Sequence, residues 1–238
     1  MDIGIFTICY NGYGRFLERW CESISQSTTL PDEVTIGLFG DRHGLSNEMA
    51  NNCKEMLPFL RIVHLGDHIN IGIDRNKTVS ETSTEWIMLL DADDAMVPSG
   101  LEEIKKHIND EVDVVVVSYV EEKTNGKKGL YSPPEVIDNS DIFDWHKTWI
   151  SPYSPFRRSL WEKENYIDGE FPNVPMVYSF ARQGVRWGKT DTYCVRYIRR
   201  EDSHCGSRTR DEHIQITNLL NKYREDEEKE YKRRKVDS

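Results

Sequence analysis

The segment Leu89-Leu90-Asp91-Ala92-Asp93-Asp94 carries the strongest chemical signal in this 238-residue chain. An apolar run, Trp86–Leu90, leads directly into three carboxylates. Burial and mutual repulsion make such a cluster costly unless a cation compensates it. In an extended chain Asp91 and Asp93 point the same way and Ala92 the other, so the two acids can share one ion. One or two carboxylates completed by phosphate oxygens are the usual way of holding Mg2+ or Mn2+. A calcium loop of the EF-hand type competes, with Asp91, Asp93 and Glu102 at its positions 1, 3 and 12. It fails at Ala95 and Met96, where an acceptor side chain and the turn glycine belong. The plain alternative is a solvated acidic turn that caps the next helix.

Other chemistries have less support. His64 and His68 are four apart but follow a strand into Gly66, so helical metal-ligand spacing does not apply. The chain has no G-x-S-x-G elbow, P-loop or G-x-G-x-x-G, which removes the main support for a hydrolase, kinase or dehydrogenase. Five cysteines without a C-x-x-C pair argue against a disulfide framework and a structural zinc site. Reduced thiols point to a cytoplasmic setting. No apolar run approaches the ~20 residues of a membrane span, and no signal peptide is read at the N-terminus, so membrane insertion and secretion are not expected.

The elements that must position these residues alternate through the first 120 positions. Strand-like runs at Ile3–Cys9, Val34–Phe39, Arg61–Leu65, Trp86–Leu90 and Val112–Ser118 are separated by helical patterns. Phe16, Leu17, Trp20, Cys21 and Ile24 recur at helical spacing; further helices are expected over Ser46–Met56, from about Asp74–Asn76, and over Ser99–His107. Ser46 is a candidate N-cap. Such alternation predicts an α/β fold with a mostly parallel central sheet flanked by helices. Ligands then bind beyond the carboxyl ends of the strands, which places Tyr10-Asn11, Asp41 and Asp91–Asp94 on one rim. After Glu121 the pattern changes: a polar turn at Lys123–Gly129, loop-like chain over Tyr131–Asp144, and an aromatic stretch from Trp145 to Trp161 that includes Trp149, Tyr153 and Phe156. Those rings serve either as core or as a platform for sugar or base faces. A helix over Ile214–Tyr223 fades into a charged tail. The expected organisation is a single domain: 1–120, 121–210, and a terminal helix and tail over 211–238.

Taken together, the motifs resemble a glycosyltransferase of the GT-A fold, similar to the large inverting family 2, from Ile3 to about Arg208. Thr7-Ile8-Cys9-Tyr10-Asn11 stands where that family has a Thr-Tyr-Asn-like turn, and Asp41 where an acid contacts the nucleotide base. Asn70-Ile71-Gly72-Ile73-Asp74-Arg75-Asn76 resembles its "N-x-G … R-N" segment, and Asp91-Ala92-Asp93-Asp94 with Pro98 its DxD. The resemblance implies a nucleotide-sugar donor, most simply UDP-linked, with Thr7, Tyr10, Asn11, Asp41 and Arg75 on the donor side. It implies Asp91 at the ribose and, with Asp93, at a Mn2+ or Mg2+ ion, and His204 in the closing segment as a further metal ligand. On the acceptor side it implies Arg157 and Arg158, beside Trp149 of the aromatic stretch. The family's acidic pair about a dozen residues before Gly184 is missing, because that stretch reads Phe171-Pro172-Asn173-Val174-Pro175. Either Glu170 replaces the usual base, or the reaction is retaining and needs none there.

Charge sharpens the acceptor reading. Residues 1–150 hold 13 Lys and Arg against 26 Asp and Glu, whereas residues 151–210 hold 11 against 7. That balance favours an anionic acceptor, a phosphorylated glycan or DNA, as in a compact phage-type enzyme that glycosylates a hydroxymethylated base in the host cytoplasm. The overall charge of -10 opposes a polyanion and demands a local basic face. Two other readings stand beside this one. The first is a sugar nucleotidyltransferase, whose glycine-rich loop Asn11-Gly12-Tyr13-Gly14-Arg15 imitates only loosely. The second is a non-catalytic sugar- or nucleic-acid-binding module on the same fold.

Overall fold

The computed structural model describes residues 1–144, 149–200, 202 and 209–236. Its first part is a parallel sheet. β1 (Ile3–Cys9) lies between β2 (Glu33–Leu38) and β4 (Trp86–Leu89), and β3 (Leu60–His64) flanks β2. β1 and β2 are buried along their whole length, as expected of strands covered on both faces. The connecting helices are α1 (Leu17–Ser25), α2 (Asn47–Met56) and α3 (Ile71–Ser80). In α1, Leu17, Trp20, Cys21 and Ile24 form the buried stripe that their spacing predicts. Ser46 caps α2, its hydroxyl accepting the Met49 N–H at 3.2 Å. α3 begins three residues before the expected start because Asn70 caps it, accepting the Ile73 N–H at 3.0 Å.

The second part extends the same sheet in mixed sense. After β5 (Ala95–Met96) and α4 (Gly100–His107), β6 (Val114–Glu122) and β7 (Lys128–Tyr131) form a hairpin around the polar turn. β8 (Phe156–Arg157) lies antiparallel between β4 and β6, so the sheet order is β3-β2-β1-β4-β8-β6-β9-β5. α5 (Arg158–Lys163) and α6 (Asn173–Gln183) precede β9 (Trp187–Ile198), which runs parallel to β6 with register shifts near Ser118. α7 (Arg210–Val236) is far longer than Ile214–Tyr223 and packs on α6 through Arg182–Glu227 at 2.5 Å and through buried Tyr231. Tyr153, Phe156 and Trp161 are core, while Trp149 remains 46% exposed. Among the described residues no helix is long and apolar enough to cross a membrane.

Candidate active site

The carboxyl ends of β1, β2 and β4 share one edge, which brings Tyr10, Asp41 and the acidic turn to the same rim. The chain does not stay extended through the acids. β4 ends at Leu89, and the Asp94 N–H closes a turn on the Asp91 carbonyl at 3.0 Å. Strict alternation of Asp91 and Asp93 about Ala92 is therefore replaced by a turn pinned by α1. Trp20 Nε1 donates to the Leu90 carbonyl at 3.1 Å, Arg19 Nη2 to the Asp93 carbonyl at 2.6 Å, and the Met96 N–H to Ser23 Oγ at 3.1 Å.

The three acids have separate surroundings. Asp91 is a third exposed and accepts from Arg75 Nη2 at 3.0 Å. Asp93 is mostly buried and paired with Arg200 Nη2 at 2.6 Å. Burial, and next the charge of Asp91, push its carboxyl up to about 6, with Arg200 and Arg19 acting the other way. Asp94 points inward, accepting from the Tyr153 hydroxyl at 2.6 Å and the Ile198 N–H at 2.8 Å; burial raises its carboxyl well above the ordinary range. The inner acid ties the turn to β9, and all three acids line a cavity of about 340 Å3.

Arg75 organises that cavity. Ile71 and Arg75, one helical turn apart on α3, both line it. While one Arg75 nitrogen holds Asp91, Nη1 donates to Asn173 Oδ1 at 2.5 Å, joining the acidic turn to the first residue of α6. The rest of the 70–76 segment anchors the loop that carries Glu170. Asn70 Oδ1 accepts the Gly169 N–H at 3.1 Å, the Gly72 N–H donates to the Gly169 carbonyl at 2.9 Å, and Asn76 Oδ1 accepts from Trp161 Nε1 and the Tyr166 N–H, each at 2.9 Å. Gly72 has to be glycine, since a Cβ there would lie 1.8 Å from the Ile167 carbonyl oxygen. Glu170 thereby lines the cavity beside Phe171 and Asn173. Gly184 ends α6 in the left-handed conformation, with φ 71°.

The other expected residues are distributed unevenly. Tyr10 lines the cavity and stacks on His68, centroids 4.1 Å apart, while His68 Nδ1 lies 2.6 Å from buried Asp74. Burial raises the Tyr10 phenol, helped by the Tyr13 ring group and then the charges of Glu170 and Asp91. Asn11 adopts positive φ at 45°, in a turn whose Gly12 and Gly14 N–H groups donate to the Arg42 and His43 carbonyls. Asp41 is exposed at the end of β2, outside the cavity lining. Thr7 is fully buried inside β1 and does not line the cavity. Trp149 lines its outer wall.

Arg157 and Arg158 stand elsewhere, outside the cavity lining. Arg157 pairs in register with Trp86, at the amino end of β4, and binds Glu85 and the Val112 carbonyl. Arg158 donates to the Thr82 carbonyl at 2.6 Å and to Glu162. Both bind the amino ends of strands, opposite the acidic rim, because β8 runs antiparallel to β4. His204 lies outside the described residues. Arg200, Arg19 and Asn173 were not singled out from sequence. Arg200 lies four residues before His204, but its pairing with Asp93 spans 107 residues and leaves no local pattern. A second group with metal-ligand side chains, Glu103, His107 and Asp191, has ligand atoms within 4.8 Å of one another on α4 and β9, and none of the three lines the cavity.

Comparison with known proteins agrees with this geometry. The family model for glycosyl transferase family 2 matches residues 4–180, and the chain belongs to that family. The fold matches a *Staphylococcus aureus* TarS fragment (residues 1–349) solved with UDP-GlcNAc, with a TM-score of 0.73 at 15% identity, over 92% of this chain and 65% of that one. It also matches a mannosyltransferase, PcManGT from *Pyrobaculum calidifontis*, solved with GDP-Man and Mn2+, with a TM-score of 0.62 at 15% identity, over 85% of this chain and 58% of that one. The fold is therefore GT-A, and the chain spans less than two thirds of either structure's length. No curated protein matches the sequence.

Proposed function

We propose that the protein is a metal-dependent glycosyltransferase that moves a sugar from a nucleotide sugar, UDP-linked, to an acceptor hydroxyl. The observation that carries this reading is the placement of Asp91, Asp93, Arg75 and Glu170 around one cavity at the carboxyl edge of the sheet. The acids suit a hard divalent cation. Asp93 keeps a raised carboxyl even with Arg200 against it, so additional positive charge at this point is favourable. Asp93 and Asp91 would hold Mn2+ or Mg2+, which supplies charge neutralisation for the departing diphosphate.

The chain's own residues supply the rest. Arg75 orients Asp91 and offers fixed positive charge at the donor side. Tyr10, stacked on His68 and Tyr13 at the end of β1, contributes an aromatic cluster to the donor side. Glu170 is the carboxylate positioned to take the proton of the incoming hydroxyl, in place of the acid absent from residues 171–175. The test is UDP release from a panel of UDP-sugars with Mn2+ or with EDTA, for the wild type and Asp93→Ala. Release of one donor's UDP that disappears with EDTA and in the variant is the expected result. No release together with no metal-dependent UDP binding by calorimetry overturns the reading.

A further inference from the structure

The basic balance of residues 151–210 favours an anionic acceptor, yet the arginines described there up to Arg200 are paired with carboxylates of the chain itself. Arg157 binds Glu85, Arg158 Glu162, Arg182 Glu164 and Glu227, and Arg186 Asp113. Arg196 binds Glu122, Arg199 Glu121, and Arg200 Asp93 and Asp202. Every described arginine from 157 to 200 is thus answered by a carboxylate. A polyanion would meet no basic face formed by these residues, and the rim it must approach carries Asp91 and Glu170.

The wall of the cavity beyond the acids and Arg75 is of a different kind. Val174 and Val177, at i and i+3 on α6, pack with Ile142 and Ile150, and these four line it together with Pro152. Trp149 stands at the outer edge, 46% exposed, and Tyr119, which also lines the cavity, stacks on Tyr131 at 4.6 Å. Glu170 and Asn173 line the same cavity, and Asn173, next to Val174 on α6, is joined through Arg75 to Asp91 of the acidic turn. An acceptor seated there presents its hydroxyl to Glu170 while an apolar portion fills the space between Trp149 and α6.

Resting on the transferase reading, we infer that the acceptor is a neutral molecule carrying an aryl or alkyl group beside its reacting hydroxyl, recognised by Trp149, Ile150, Val174 and Val177. Burial of such a side-chain-sized apolar group favours it about tenfold or more over a purely polar analogue.

The test uses the full chain with UDP and Mn2+, and three probes: phenyl β-D-glucopyranoside, glucose 1-phosphate, and a hydroxymethylcytosine oligonucleotide. Saturation-transfer NMR and calorimetry should show the phenyl glucoside binding best, with its aryl protons most strongly saturated. Trp149→Ala and the near-isosteric Val177→Thr should each weaken it at least fivefold while changing UDP affinity less than twofold. Tighter binding of the phosphate or the oligonucleotide, failure of all three probes, or indifference to both substitutions overturns the inference. UDP binding is read separately in the same samples. Its absence with aryl binding retained would defeat the transferase reading and leave the apolar site standing.

Discussion

The parallel part of the sheet and the mixed part treat charge in opposite ways. At the end of β4, Asp93 and Asp94 keep raised carboxyl pKa values although Arg19 and Arg200 lie against the turn. Around β6, β8 and β9 each arginine meets at least one carboxylate, and Asp113 and Glu122 are held below the ordinary range, chiefly by their hydrogen bonds from Arg186 and Arg196. The first arrangement stores unmet demand for positive charge, which suits a ligand-binding edge. The second leaves none and serves cohesion. Net charge summed over a segment cannot distinguish the two; only the pairing does.

The sharpest way to break this contrast is at Asp93. Asp93→Ala should lower metal-dependent turnover or donor hydrolysis by roughly a hundredfold or more, since the neutralising ion loses a ligand. A residual rate close to wild type would place the demand for cation elsewhere. Gly72→Ala comes next. Its Cβ collides with the Ile167 carbonyl, so the Glu170 loop must shift, and the expected cost is about 1–3 kcal/mol in urea unfolding together with a fall in kcat. Arg75 tests the junction of the two parts. Arg75→Lys cannot hold Asp91 and Asn173 together, and about tenfold weaker donor binding is expected. A double-mutant cycle with Asn173→Ala should give a coupling of about 0.5–3 kcal/mol; additivity would show that the bridge carries no energy.

The smallest effect lies in the mixed part. Asp113, with its folded-state pKa depressed by Arg186, stabilises the fold above its unfolded-state value near 4, and this contribution is lost as pH falls through the depressed value. Arg186→Ala should therefore be less stable than wild type at pH 7. The difference in urea midpoint should close below about pH 4; a difference that persists at low pH would point to lost packing instead of charge.

The contrast also explains what could be read from the chain alone. In the parallel part each strand is followed by its helix, so hydrophobic periodicity located β1 to β4 and α1, α2 and α4 within a few residues, and the acidic turn sits where its local sequence says. α3 starts early because the capping role of Asn70 is decided by its side chain, and the same side chain receives a loop 99 residues away. In the mixed part, β8 has two residues and finds its partners in β4 and β6, while β7, α5, α6 and β9 had no assignment from periodicity. The antiparallel entry of β8 is what sends Arg157 and Arg158 to the far edge. The segment 70–76 was legible as a motif, but its work, fastening the Glu170 loop, depends on contacts that no local pattern encodes.

Cys9, Cys21 and Cys53 lie buried in the parallel part, and Cys194 in β9 of the mixed part. Burial holds the Cys194 thiol up at about 12 and raises Cys9 as well, so their reactive thiolates are scarce at neutral pH. Modification by a maleimide then has to wait for the backbone around each sulfur to open. With Cys205, outside the described residues, replaced by serine, mass-resolved labelling rates would time the opening of the two sheet regions separately within one molecule. A donor nucleotide and its cation should slow the clock at Cys9 more than the one at Cys194.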